Sequence, residues 1–108
     1  MDKKRIDPEL LKSIRAYLAK VAEFYKIDNA FIFGWYAKGT HNEHSDIDLA
    51  IVSKDVKDRI IDMGKMFALT WQINTDIEPY PINTEDYKNQ TTPFIAEIIK
   101  NGIPISVT

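Results

Sequence analysis

Cysteine is absent from the 108 residues. That removes disulfides, thiolate zinc sites and cysteine nucleophiles together, and it fits a reducing compartment. A basic excess is missing too: 14 Lys and Arg stand against 16 Asp and Glu, a formal charge of −2 with histidines neutral. Holding nucleic acid by bulk charge needs the opposite balance or a concentrated patch, so nucleic acid is not an expected partner. The Lys3-Lys4-Arg5 cluster is too short to change that. No apolar run reaches the length of a membrane helix. The start, MDKKRIDPELLKS, carries no apolar stretch of the kind a signal peptide needs. A cytoplasmic protein is the expectation. No internal repeat, low-complexity tract or linker interrupts the chain.

What is present has the composition of one folded domain. Apolar residues are 44% and charged residues 28%, the balance of a soluble globular protein. A chain of this size forms one core and buries roughly two-thirds of its unfolded surface.

Asp7-Pro8-Glu9 opens a first helix, with Asp7 as the cap and Pro8 in the first turn. Leu10, Leu11, Ile14, Tyr17, Leu18, Val21 and Tyr25 follow at helical spacing, which predicts a helix to about Lys26. Phe24 is expected in the core with Tyr17 and Tyr25. Ala30 to Phe33 reads as a buried strand ending at Gly34. A second strand runs from Ile47 to Val52. Val56, Ile60, Ile61, Met63, Met66, Phe67 and Leu69 carry a helical period, and Trp71 at its end is read as core or interface. Ile73 to Tyr80 is a third strand, with Pro79 and Pro81 marking its end or an exposed edge. Asn83 to Asp86 can start a short helix. Thr92-Pro93 starts the last one, and Gly102 stops it. The order predicts an α/β (α+β) sandwich, a small mixed sheet with helices packed on it.

The chemistry is concentrated between Phe33 and Leu49. A buried strand ends at Gly34, the chain makes a short excursion through Gly39, and it returns in a strand that opens Ser45-Asp46-Ile47-Asp48. Residues two apart on a strand share a face. Two carboxylates there repel each other unless the face is solvated or a divalent cation lies between them. Such hard oxygen donors suit Mg²⁺, which completes its shell with water and substrate phosphates. Glycines let backbone N–H groups approach phosphate, and Lys38, Thr40, Asn42 and Ser45 add donors. His41 and His44 have no third ligand nearby and are read as solvated.

This stretch, Gly34 to Leu49, closely resembles the motif of the DNA polymerase beta-like nucleotidyltransferases: a glycine and serine, a short spacer with a basic residue and glycine, then Ser-Asp-x-Asp-Leu. The length is similar to that of the minimal prokaryotic members. Ile77-Glu78-Pro79 and the terminal Glu97 to Ile103 stretch add weaker support. The resemblance implies the nucleotidyltransferase core and a Mg²⁺-dependent transfer of a nucleoside monophosphate, AMP from ATP, to an acceptor hydroxyl. It implies two Mg²⁺ ions held by three carboxylates: Asp46, Asp48 and one from the third strand. Glu78 is the preferred third, with Asp76 as the fallback. Gly34, Trp35, Lys38, Gly39 and Ser45 are implied as the nucleotide-binding set.

One residue departs from the pattern. Trp35 stands where the family has serine. A large indole in a phosphate loop admits three readings: a weak or dead site, an indole swung aside, or one that stacks on a base or a partner. Minimal members resembling this chain are paired with a small all-helical HEPN-type toxin, which some adenylylate on tyrosine. That implies such a partner here, with self-association also open. The competing class is a catalytically impaired module that acts as a binding antitoxin or regulatory subunit. A generic ferredoxin-like regulator fits the length but leaves Ser45-Asp46-x-Asp48 unexplained.

Overall fold

The computed structural model of the chain describes residues 6–34 and 46–107. Helix α1 spans Pro8–Val21, strand β1 Ile27–Phe33, β2 Ile47–Ser53, helix α2 Arg59–Ala68, β3 Ile77–Asn83, α3 Thr84–Asn89, α4 Pro93–Asn101 and β4 Ile103–Pro104. The strands form one mixed sheet in the order β3-β2-β1-β4. β1 runs antiparallel to β2 and β4, while β2 and β3 are parallel. The parallel pair requires a crossover, which α2 supplies. No helix among the described residues is long and apolar enough to cross a membrane.

The central strands are covered on both sides, which explains the near-continuous apolar run in β2. On one face Ile32, Leu49, Ile51 and Ile77 pack against Ile14, Tyr17, Leu18 and Val21 of α1 and Met66 of α2. On the other, Phe31, Ala50, Val52 and Ile82 pack under Ile95 and Ile98 of α4. Each fully buried aliphatic side chain contributes about 1.5–3 kcal/mol.

The sequence reading differs from the structure at several points. Helix α1 stops at Val21, because the chain tightens into a turn in which Phe24 N–H bonds back to Val21. That turn sends Tyr25 inward, where its hydroxyl donates to Asp62 at 2.7 Å. Asp62 also accepts the N–H groups of Lys57 and Asp58. Burial alone would raise its pKa, but these hydrogen bonds outweigh burial and hold it low. The same turn throws Phe24 outward, so it is not core. Trp71 is 79% exposed and is not core either. Asp7 makes no side-chain cap. Thr92 does cap, accepting from Ile95 N–H at 3.2 Å.

The third strand begins at Ile77 and runs through both prolines instead of ending at them. It is an edge strand. The carbonyl of Asp76 accepts the Ile47 N–H, so alternation turns residues 78, 80 and 82 toward β2 and residues 79 and 81 toward the open edge. Proline lacks the N–H that would point there, so it fits without breaking the ladder.

Candidate active site

Alternation along β2 sends Ile47, Leu49 and Ile51 to the α1 face and Asp48 to the α4 face. Asp48 is in register with Glu78 on one side and with Phe33 on the other. Asp46 lies just before β2 and is exposed. The structure therefore gathers Asp46, Asp48 and Glu78 at one end of one face. Asp76 is exposed ahead of β3, its N–H bonded to Asn74, and its charge acts on neither Asp48 nor Glu78.

Their electrostatics are those of crowded like charges. Glu78 is pushed up to about 7, first by a hydrogen bond with Asp46, then by burial, then by the charges of Asp46 and Asp48. Two carboxyl groups share a hydrogen bond only when one carries a proton. Asp48 is raised by burial and by the Asp46 charge. Tyr80 stands two residues beyond Glu78 on the same face, and burial and the charges of Asp48 and Glu78 raise its hydroxyl pKa.

Among the described residues no three His, Cys, Asp or Glu side chains form a ready metal cage. The donor set fits a hard divalent cation: carboxylate oxygens only, on one face, with a mutual repulsion that a cation would relieve.

Gly34 adjoins this cluster. Its φ is +71°, in the left-handed region, and an added Cβ would overlap the Asp48 carboxylate. Glycine here is demanded by backbone conformation and by close approach alike. Trp35, Lys38, Gly39 and Ser45 lie outside the described residues, as do His41 and His44.

Sequence reasoning missed Tyr80 and Phe94. Their rings form, with Phe33, an aromatic wall beside the carboxylates, with Phe33 to Tyr80 at 5.1 Å and Phe33 to Phe94 at 5.4 Å. The signal for Tyr80 was present: it stands two positions past Glu78 on a strand. None marked Phe94, which comes from a distant helix.

Known proteins resemble this chain in sequence and in fold. The sequence profile of the family "Polymerase beta, Nucleotidyltransferase" matches residues 12–107. The chain is 28% identical over 102 residues to a Methanocaldococcus jannaschii protein named "Putative protein adenylyltransferase", covering 90% of this chain and 96% of that one. Among solved structures, one named as a "putative nucleotidyltransferase" from Sulfolobus solfataricus superposes with a TM-score of 0.59 at 23% identity, over 75% of this chain and 73% of that chain. A toxin-antitoxin structure with AMP-PNP superposes with a TM-score of 0.62 at 20% identity, over 91% of this chain and 73% of that chain. At these identities the two structures establish a shared fold.

Proposed function

The chain belongs to the polymerase beta nucleotidyltransferase family, and from that premise we propose that it moves AMP from ATP to a hydroxyl group of a partner protein. One observation carries the reading: Asp48 and Glu78 stand side by side across the β2–β3 pair, with Asp46 two residues before Asp48 and close enough to push the Glu78 carboxyl up.

Asp46, Asp48 and Glu78 would hold two Mg²⁺ ions, which when bound neutralise triphosphate charge and lower the pKa of the attacking hydroxyl. The chain's own residues do the rest. Asp46 and Asp48 fix the triphosphate end of the site against β2. Gly34 lets the backbone come close, and Trp35, Lys38, Gly39 and Ser45 are the residues assigned to the nucleotide by the family motif. Glu78, on the edge strand, orients the acceptor hydroxyl. Phe33 and Phe94 keep water from one side. Positioning and electrostatics account for most of the rate in such chemistry.

The acceptor would be a tyrosine of a small all-helical HEPN-type toxin, with this chain as its antitoxin. Support comes from the adenylyltransferase name of the M. jannaschii relative and from the fold shared with a toxin-antitoxin structure. The second reading, a module that acts by binding alone, is favoured by Trp35 in place of a serine. One experiment separates them. The chain is co-expressed with a neighbouring helical protein, and the purified complex is given α-labelled ATP and Mg²⁺. Label on the partner, lost in Asp48→Asn, is the expected result. Binding without label supports the module, and neither binding nor label contradicts both.

A further inference from the structure

A cleft of about 730 Å³ lies along β3, lined by Tyr80, Pro81 and Ile82 of that strand, by Phe94, and by Lys57 and Arg59 at the N-terminal end of α2. Tyr80 stands two residues past Glu78 on the same face of β3, and its hydroxyl feels the charges of Asp48 and Glu78, so the cleft adjoins the carboxylates.

Its chemistry is specific. The outward N–H groups that would pair with an added strand are missing at Pro79 and Pro81, so a full ladder cannot form there. Recognition must come from side chains. Among the described residues Lys57 Nζ donates only to the Lys54 carbonyl, at 3.3 Å. Neither Lys57 nor Arg59 makes an ion pair among the described residues. Among the described residues Asp86, in α3, is the one acidic residue lining the cleft beside Lys57 and Arg59, so the described lining carries a net positive charge. The aromatic wall suits a ring. Next in sequence to Arg59, the first turn of α2 leaves Ile60 80% and Ile61 57% exposed. Exposed apolar area of that kind suits contact with a protein.

We propose that this cleft is the acceptor subsite and that it takes a polypeptide segment whose aromatic hydroxyl side chain is flanked by acidic residues. The chemistry rests on the nucleotidyl-transfer reading above; the binding does not. In the transfer, the acceptor oxygen bonds to the α-phosphorus and the bond from that phosphorus to the bridging oxygen breaks. Pyrophosphate leaves, and the hydroxyl proton goes to solvent.

The test uses two fluorescein-labelled peptides, one tyrosine among glutamates and the same tyrosine among lysines, followed by anisotropy. The wild-type chain binds the glutamate peptide about tenfold tighter, and added salt weakens it. In the double variant Lys57→Glu, Arg59→Glu the preference reverses. If that variant melts early, Lys57→Gln with Arg59→Gln replaces it, and the preference is then lost. Equal binding of both peptides, no binding, or an unchanged preference in the variants overturns the proposal. So does sedimentation showing the cleft closed in a dimer of this chain that Arg59→Glu dissociates. Peptide binding as described, with no label transfer from ATP, removes the nucleotidyl-transfer reading and leaves the cleft assignment standing.

Discussion

The two faces of the sheet are built from the same strands and behave oppositely. Toward α1 and α2, β2 presents Ile47, Leu49 and Ile51, sealed by helices. Toward α4 it presents Asp48, Ala50 and Val52; the lower part is packed, and the end bearing Asp48 is open. The period of two along a strand separates stability from chemistry at neighbouring residues. One face gains free energy by excluding water. The other holds carboxyl groups whose mutual repulsion costs free energy, a tolerable cost because the first face supplies the stability.

Swapping the two roles at adjacent positions gives the largest contrast. Asp48→Asn is expected to lower label transfer about 10³-fold, roughly 4 kcal/mol of barrier. Its melting temperature should stay level or rise, because a charge repelled by Asp46 is gone. Leu49→Ala, one residue away, is expected to lose about 2–5 kcal/mol of stability, read by urea unfolding, with transfer per folded molecule nearly kept. If Asp48→Asn proves as destabilising as Leu49→Ala, the division between faces is wrong.

Gly34→Ala should fall between these. A left-handed residue with a side chain costs about 1–2 kcal/mol, and the new methyl displaces the Asp48 carboxylate. Stability and transfer should therefore drop together, in contrast to both variants above.

The smallest effect is in pH dependence. Glu78 has its pKa raised from an ordinary 4.5 to about 7, so the fold favours its protonated form. The stability this gives is fully present below about pH 4.5 and is lost as pH rises through about 7. The cluster is partly open to water, so the change is less than about 1 kcal/mol. The melting temperature measured in EDTA should fall modestly between pH 5 and 8. Saturating Mg²⁺ should cancel the fall at pH 8 and do little at pH 5.

Much of this was legible in the sequence because it depends on local rules. The Asp46 and Asp48 pair, the strand around them, the Thr92 cap and the edge character of Pro79 and Pro81 follow from spacing and from what proline cannot donate. Glu78 was legible as a candidate, but its register with Asp48 depends on how two strands pair across a helix. The end of α1 was not legible, because its last apolar positions serve a turn that delivers Tyr25 to Asp62. The helical period of α2 was legible, but Ile60, Ile61 and Phe67 in it are exposed; periodicity shows that a face is apolar and does not show what covers it. Tyr80 and Phe94 meet only in the folded chain.

The central claim is that Asp46, Asp48 and Glu78 together hold divalent cations for a nucleotide. Equilibrium dialysis against Mn²⁺ and AMP-PNP tests it most directly. The account predicts one nucleotide and about two Mn²⁺ ions taken up per chain, with the metal uptake lost in a folded Asp48→Asn variant. Uptake equal in wild type and variant, or no protein-bound Mn²⁺ in either, would contradict it.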